Sequence, residues 1–287
     1  MKNKVYIISP SALSYKCNHC EYLKHHYNLE NRGVPVGVTQ TLDNKEKEFF
    51  IKRGTKAIDD IPKGKIIDPG SRTFSSIKFP DLKGREFRIR GKGDGIIKFD
   101  DGSSGIIDYK TSKFKKNDTK DYSFKDKDLD KKITEYTPQL HAYAMLYENL
   151  DINKDFLREE YKIWYKKIFK KTPLLFTTDK GVYKKELEAK NLTIKNIKLL
   201  GLVFVYPEYS APLTNGGDQI GVSFSYRFYK IPIDMQRFLK MITDHIDMLE
   251  KNDPPEPPSD CGAKKCGMHR FFYDKKKLKK SKKKNKI

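Results

Sequence analysis

Long apolar runs are missing from this sequence. The longest, Leu199 to Tyr206, spans eight residues and is interrupted by Gly201, whereas a membrane-spanning helix needs about 20 apolar residues. We therefore interpret this run as a β-strand and expect no membrane partner. The N-terminal stretch MKNKVYIISPSALSYK lacks the apolar core and small-residue cleavage site of a secretory signal. A protein of the reducing cytoplasm is thus expected.

Cysteine is scarce, with four residues in 287. In a reducing compartment this pattern indicates metal binding before disulfide formation. The four form two pairs, Cys17-x-x-Cys20 and Cys261-x4-Cys266, and the second pair follows the proline-rich residues 253–260, which predict an extended segment. Four thiolates that gather in space would bind zinc or an iron–sulfur cluster. The alternative is four unrelated reduced cysteines.

Acidic residues are outnumbered: 38 Asp and Glu face 59 Lys and Arg, a net charge of +21. Residues 274–287 hold nine Lys and one Asp, so they carry +8 and leave +13 on residues 1–273. Such a field attracts phosphate polymers, which favours a nucleic-acid partner over lysine used only for solubility. We predict a single domain over 1–273 and a disordered Lys-rich tail at 274–287.

A β-hairpin is the clearest local pattern. Apolar residues 96–99 and 106–107 flank the turn-forming residues 100–104, whose sequence is Asp-Asp-Gly-Ser-Ser. Short apolar runs on both sides of such a turn are typical of two antiparallel strands.

Two acids and a lysine converge on this hairpin. A turn centred on Asp101 pairs residues whose numbers sum to about 202, which places Asp94 opposite Asp108. Opposed residues have Cβ atoms only ~4.5–5.5 Å apart, and two like charges at that spacing are unfavourable unless a cation lies between them. Mg²⁺ or Mn²⁺ meets that need through oxygen ligands. Lys110 projects from the same strand face as Asp108.

Other segments show helical or strand periods, and together they predict an α/β fold with a central mixed β-sheet flanked by helices. A hydroxyl cap before proline begins a helix at Ser9-Pro10 that we extend through Tyr27. The remaining predictions are a helix, turns and a strand within 31–90, a solvated loop at 114–130, a helix bearing Ile133, Tyr136, Leu140, Tyr143, Ala144 and Tyr147 on one face, strands at 199–206 and 222–231, and a helix over 234–251.

Several of these pieces occur together in the order of a known family. They are SPSALSYKC at 9–17, G-x-G-D-G at 91–95, IIDYKTS at 106–112, YTPQLHAYA at 136–144, and cysteines near both ends. In this combination the sequence resembles the RecB-like branch of the PD-(D/E)xK nuclease superfamily. The resemblance implies a restriction-endonuclease-like core.

The resemblance also implies a set of site residues. The implied metal ligands are Asp94, Asp108 and the backbone carbonyl of Tyr109. Lys110 would orient or deprotonate the attacking water, and Gln139 and Tyr143 would contact the scissile strand or the water shell of the metal. By spacing alone, Gln139 would instead be a surface amide and Tyr143 a core residue.

The sequence departs from the family pattern at two places. Where members commonly place a metal-binding histidine after Gly-Thr, this chain has Ile58, so a substitute ligand is expected from Glu46, Glu48, Asp59 or Asp60, or the chain no longer cleaves. Related nucleases often carry a [4Fe-4S] cluster on one N-terminal and three C-terminal cysteines. Here the division is two and two, which leaves Zn²⁺ as a rival, with His19 or His269 as substitute ligands.

These observations predict a Mg²⁺-dependent deoxyribonuclease, an exonuclease on single strands or duplex ends that serves recombination, repair or replication beside a helicase or recombination protein. One alternative is a nucleic-acid-binding subunit that keeps the fold with little catalysis. Another is a basic scaffold whose hairpin acids bind a structural ion.

Overall fold

The computed structural model describes residues 4–14, 17–27, 37–70, 73–111, 126–151, 192, 194–207 and 224–257. Three sequence predictions lie outside these residues: the Lys-rich tail at 274–287, most of the loop at 114–130, and the second cysteine pair at Cys261 and Cys266. The last five residues of that loop, 126–130, instead form the first turns of a helix.

The described part of the chain contains five α-helices, nine β-strands and one 3-10 helix. The helices are α1 Pro10–Leu13, α2 Asn18–Tyr27, α3 Gly37–Arg53, α4 Asp126–Glu148 and α5 Met235–Leu249, with a 3-10 helix at Gly54–Ala57. The strands are β1 Tyr6–Ile8, β2 Gly64–Ile67, β3 Phe74–Ser75, β4 Phe79–Pro80, β5 Glu86–Gly91, β6 Gly95–Phe99, β7 Ser104–Thr111, β8 Ile197–Pro207 and β9 Phe224–Ile231. No helix within these ranges is long and apolar enough to span a bilayer.

A five-stranded sheet forms the centre, in the order β2-β6-β7-β8-β9. The pair β7–β8 is parallel and the other pairs are antiparallel, so the sheet is mixed, as predicted. A second, smaller sheet places β5 between β1 and β3, with β4 also paired to β5. Sequence reasoning found only the end of β5, because β1, β3 and β4 are two or three residues long and too short for a period to emerge.

The predicted hairpin and its register are confirmed. Gly95 pairs with Ile107 and Ile96 with Ile106, so paired residue numbers sum to 202. In the turn, the backbone N–H of Gly102 donates to the carbonyl of Phe99, and Gly102 has a φ of +80° that favours glycine. The turn therefore fixes which residue faces which along both strands.

The prediction of one continuous helix from Ser9 to Tyr27 is wrong. Pro10 does begin a helix, but α1 ends at Leu13 and α2 starts at Asn18. The hydroxyl of Ser14 donates to the carbonyl of Ser11, and such local side-chain bonds compete with the helical backbone pattern. Cys17 consequently precedes α2.

Two apolar cores cover the two faces of the central sheet. Ile96, Ile106 and Phe204 belong to the larger core, which α4 and α5 cover. Ile97, Ile107 and Val203 belong to the smaller core, which includes Phe50 of α3 and Ile58. Burial on both faces explains why β8 is almost continuously apolar.

Candidate active site

The two predicted acids lie together at one end of the hairpin. Asp94 directly precedes β6, and Asp108 lies in β7 on the face that α4 covers, with 1% of its surface exposed. The backbone N–H of Tyr109 donates to Asp94 Oδ2 over 3.4 Å. The carboxyl groups of Asp94 and Asp108 are close enough for each to shift the pKa of the other. The structure therefore brings together the acid pair that the register predicts.

This acid pair carries less than two negative charges in the metal-free protein. Burial raises the pKa of Asp108, and the neighbouring Asp94 carboxylate raises it further. Burial also opposes the charge of Asp94, but the hydrogen bond with Asp108 and the ammonium of Lys47 outweigh it and lower the pKa of Asp94. Asp108 is therefore the acid of the pair that takes up a proton more readily.

Lys110 occupies the predicted place beside Asp108. Its Nζ lies 2.6 Å from Asp108 Oδ2, donates to Gln139 Oε1 over 3.3 Å, and stands 4.5 Å from the centre of the Tyr136 ring. Burial disfavours the ammonium, but the Asp108 carboxylate outweighs burial and raises the pKa of Lys110. Lys110 is thus a fixed positive charge at the acid pair.

Helix α4 supplies the two polar residues that the resemblance implies. Gln139 Nε2 donates to the Tyr143 hydroxyl over 2.9 Å, one helical turn away. Gln139 Oε1 also accepts from Ser14 Oγ over 3.4 Å. Both Gln139 and Tyr143 are 6% exposed, so Gln139 is not a surface amide. A continuous chain of contacts runs from Tyr143 through Gln139 to Lys110.

Sequence reasoning missed Lys47, which reaches the site from α3. Its Nζ lies 2.7 Å from Asp94 Oδ1, and 17% of its side chain is exposed. Lysine is so abundant in this chain that no pattern singles out Lys47 before the packing of α3 is known. Together the contacts form a row in which the two acids, Asp94 and Asp108, lie between the two lysines, Lys47 and Lys110.

Helix α3 also supplies a third acid, Glu46. Its Oε1 accepts a hydrogen bond from Thr111 Oγ1 over 3.2 Å, directly after Lys110 in β7. Burial raises the pKa of Glu46 to about 7, with Asp43 and Asp94 adding to the effect and the Thr111 hydrogen bond opposing it. Glu46 therefore belongs to the electrostatic surroundings of Asp94.

The other substitute ligands proposed from the sequence do not adjoin the acid pair. Ile58, at the position where a histidine is common, is 3% exposed and packs in the smaller core. Glu48 is exposed and pairs with Lys45 over 3.1 Å. Asp59 and Asp60 are exposed residues of the bend that follows the 3-10 helix. Of the four acids, Glu46 alone has electrostatic contact with Asp94 among the described residues.

The donor set fits a hard divalent cation. Oδ1 of Asp108 is buried without a hydrogen-bond donor from the described residues, and two adjacent carboxyl groups supply oxygen ligands. No cluster of three or more His, Cys, Asp or Glu stands close enough to hold a metal in the part of the chain with assigned structure. Mg²⁺ is commonly held by one or two carboxylates, with water and phosphate completing its shell. A pair of acids meets that requirement.

The first cysteine pair is buried at the start of α2. The backbone N–H of Cys20 donates to Cys17 Sγ over 3.4 Å. Between them, His19 is buried and its Nδ1 lies 2.7 Å from the carbonyl oxygen of Pro255. The N-terminal half of the predicted four-cysteine site is therefore preorganised beside a segment from the other end of the chain.

That segment, residues 249–257, is here termed the C-terminal strap. Besides the His19 contact, the hydroxyl of Tyr22 donates to the carbonyls of Lys251 and Asn252 over 2.8 and 2.9 Å. Pro255 precedes Cys261 by six residues, which span at most ~20 Å when extended. The second cysteine pair is thus within chain reach of the first.

The fold and the site together define a class of protein. An α/β chain that places two acids and a lysine at the end of a β-hairpin has the parts of a metal-dependent hydrolase. The profile of the PD-(D/E)XK nuclease superfamily matches residues 41–270, more than half of the chain. The protein belongs to the PD-(D/E)XK nuclease superfamily, and this membership implies a nuclease that acts on nucleic acid.

Two further comparisons add less. Among solved structures, the chain is similar to the protein designated SSO0001, with 14% sequence identity and a TM-score of 0.39, over 88% of this chain and 79% of that one. Comparison with curated proteins gives no match.

Proposed function

We propose that this protein is a Mg²⁺-dependent deoxyribonuclease of the RecB-like branch, acting as an exonuclease on single strands or duplex ends. The observation that carries the proposal is the acid pair Asp94 and Asp108, of which Asp108 is buried, with Lys110 on the same strand face as Asp108. The basic charge supports a DNA substrate, because lysines that neutralise phosphates release counterions. Recombination, repair or replication beside a helicase or recombination protein is the setting that the family resemblance favours.

Asp94 and Asp108, with the Tyr109 carbonyl, would hold Mg²⁺ or Mn²⁺. Glu46 would take the place of the histidine that is absent at Ile58 only if its side chain moves toward the acid pair, since the three acids do not form a metal-binding cluster among the described residues. When bound, such a cation polarises a phosphoryl oxygen and acidifies water. The support for Glu46 is its placement next to Asp94 and Thr111, with a pKa raised by burial. A neighbouring cation would favour the ionised form of Glu46.

The chain's own residues have separate tasks. Lys110 holds its proton, so it orients the attacking water and offsets charge that develops on the phosphate, and it is not the base. Gln139 fixes the position of Lys110 through its Oε1. Tyr143 in turn holds the amide of Gln139. Lys47 would compete with a cation for Asp94, since its Nζ lies 2.7 Å from Oδ1 of that carboxylate.

At the two ends of the chain, we place a [4Fe-4S] cluster or Zn²⁺ on Cys17, Cys20, Cys261 and Cys266. The C-terminal strap supports this assignment, since it runs along α2 toward the first pair. Thiolates of this kind persist in a reducing compartment such as the cytoplasm. A brown purified protein that absorbs at about 400 nm would indicate the iron–sulfur cluster. A colourless protein with one bound zinc per chain would indicate the Zn²⁺ site.

Cleavage of end-labelled DNA tests the main proposal. Wild type with Mg²⁺ is expected to shorten the label progressively, and Asp108→Asn and Lys110→Ala are expected to lose this activity. The control is Asp130→Asn, because Asp130 begins another Asp-x-Lys triplet but is exposed on α4. If wild type leaves every DNA and RNA intact with Mg²⁺ and with Mn²⁺, the enzyme proposal is wrong.

The second candidate function is a nucleic-acid-binding subunit that keeps the fold with little catalysis. The observation that favours it is Ile58, which fills the smaller core where a metal-binding histidine is common. That candidate predicts tight DNA binding by wild type together with no metal-dependent turnover.

A further inference from the structure

A cavity of about 460 Å³ lies between the start of α1, helix α2, the end of β5 and Tyr143 of α4. Three cationic residues line it: Lys24 from α2, Arg90 at the end of β5, and Lys92 just after β5. None of its lining residues in the described ranges is acidic. Positive charge gathered around a concave space favours an anionic ligand.

Hydroxyl groups complete the lining. Ser9 and Ser11 contribute from the two sides of the α1 start, and Thr73 contributes from the segment before β3. Hydroxyl, guanidinium and ammonium groups all donate hydrogen bonds. Such donors match the several acceptor oxygens of a phosphate group, and charge-assisted bonds of this kind are the strongest in proteins.

The cavity and the proposed active site have Tyr143 in common. Tyr143 lines the cavity, and its hydroxyl accepts from Gln139, which contacts Lys110. Gly91 allows Pro10 and Tyr143 to approach the backbone closely, because a Cβ at this position would lie 2.6 Å from Pro10 Cδ and 3.5 Å from Tyr143 Cε1. The cavity is thus connected to Lys110 through Tyr143 and Gln139.

We propose that this cavity binds the terminal phosphate monoester of the strand that is cut. This inference rests on the proposed nuclease function and specifies which ends the site accepts. A monoester carries about −1.5 to −2 charge at pH 7, whereas a backbone diester carries one negative charge. Three cations without an acid among the described lining residues suit the monoester better. The enzyme then engages a strand by its phosphorylated end.

Binding of fluorescent single-stranded DNA, measured by anisotropy in EDTA, tests the proposal without cleavage. Four oligonucleotides of one sequence differ in whether the 5′ or the 3′ end carries phosphate or hydroxyl. For wild type, phosphate at one of the two ends is expected to tighten binding by about tenfold, the effect of one charge-assisted hydrogen bond. In Arg90→Gln/Lys92→Gln this ratio is expected to fall to about one.

A matched variant separates the cavity from general charge. Lys52→Gln/Lys56→Gln removes the same charge from two exposed lysines near the end of α3. This variant is expected to weaken binding of all four oligonucleotides equally and to keep the tenfold ratio. Equal binding of phosphate and hydroxyl ends by wild type would overturn the proposal. So would an equal loss on all four oligonucleotides in Arg90→Gln/Lys92→Gln, which would assign the cavity to backbone diesters.

The assay also distinguishes this inference from the nuclease proposal. A protein that shows the phosphate ratio in EDTA but never cleaves with Mg²⁺ or Mn²⁺ retains the cavity function and lacks the nuclease. A protein that cleaves but shows no ratio is a nuclease without an end-binding cavity.

Discussion

Asp108 is a buried acid whose charge is unfavourable until a cation arrives. Burial and the Asp94 carboxylate both raise its pKa, so the ionised form that the chemistry needs is the form that destabilises the folded chain. For the proposed nuclease, this placement would favour function at the expense of stability. Such a conflict is typical of catalytic acids.

Asp108→Asn makes this conflict measurable. The amide keeps the shape of the acid but cannot bind a divalent cation as a carboxylate does, so DNA cleavage is expected to fall by at least about 100-fold. In EDTA, the melting temperature of the variant is expected to equal or exceed that of wild type, because the buried acid no longer needs a proton. Asp130→Asn is the control for both measurements, and a marked loss of stability in EDTA would contradict the prediction.

Lys47 provides a second test at the scale of single residues. Its ammonium lies 2.7 Å from Asp94 Oδ1 and competes with a cation for that oxygen. Lys47→Met is therefore expected to tighten Mn²⁺ binding several-fold, equivalent to about 1 kcal/mol. Titration calorimetry measures the change. The control is Lys45→Met, an exposed lysine paired with Glu48. Weaker Mn²⁺ binding by Lys47→Met would show that Lys47 supports the site.

The sequence was sufficient for the residues that the hairpin places. For α3 it offered Glu46 only as one of four possible substitute ligands, and it did not indicate Lys47. Asp94, Asp108 and Lys110 follow from the turn and from strand alternation, both of which are local. Lys47 and Glu46 reach the site only because α3 packs across the sheet, and that contact depends on tertiary structure. The charged residues of α3 show no spacing that marks these two.

Among the elements, strand β8 makes a close contact with β9 that no local sequence pattern predicts. Gly201 lies opposite Lys230 of β9, and a Cβ there would lie 2.3 Å from Cε2 of Phe228. The aromatic ring of Phe228 thus lies directly over the glycine. An aromatic ring over a cross-strand glycine contributes packing where the strand has no side chain of its own.

Gly201→Ala is expected to force the ring of Phe228 aside and to destabilise the protein by about 1–3 kcal/mol. Urea unfolding followed by circular dichroism measures the change. The double variant Gly201→Ala/Phe228→Leu has room for the methyl group and is expected to recover part of the loss. Unchanged stability in the single variant would mean that the strands adjust without strain.

Elements with several turns or pairs were predictable, and short or interrupted ones were not. The apolar face of α4 and the alternation of the hairpin each repeat often enough to dominate competing signals. The break between α1 and α2 comes from one serine that bonds to the backbone. The small sheet joins β5 to β1, which is distant in sequence, and to β3 and β4, which are close to β5 in sequence but only two residues long.

At the scale of the whole molecule, one buried and one half-buried histidine link stability to pH. His141 Nε2 accepts from the backbone N–H of Asp234, and its Nδ1 lies 2.9 Å from the carbonyl oxygen of Thr137, so the ring joins α4 to α5 as the neutral form. Burial lowers the pKa of His141. Burial, with His25 adding to the effect, lowers the pKa of His245 to about 4. Both rings resist protonation in the folded state.

Stability is therefore expected to decline as the pH falls below about 6.5 toward 4. A pKa lowered by folding contributes stability that is fully present above the unfolded value of about 6.5 and is lost as protons bind the unfolded chain preferentially, at about 1.4 kcal/mol for each unit. Melting temperatures in EDTA from pH 7.5 to 4.5 measure this decline. His245→Gln is expected to flatten the profile, and profiles of wild type and variant that run parallel would contradict the assignment.

The C-terminal strap is held in a way that leaves its sequence free to drift. His19 contacts the main-chain carbonyl of Pro255, and Tyr22 contacts those of Lys251 and Asn252. His26 likewise lies 2.6 Å from the carbonyl oxygen of Leu249. Every residue offers the same carbonyl, so neutral substitutions can accumulate along the strap while its path persists. Substitutions of His19, Tyr22 or His26 in α2 are therefore expected to disturb the strap more than substitutions within the strap itself.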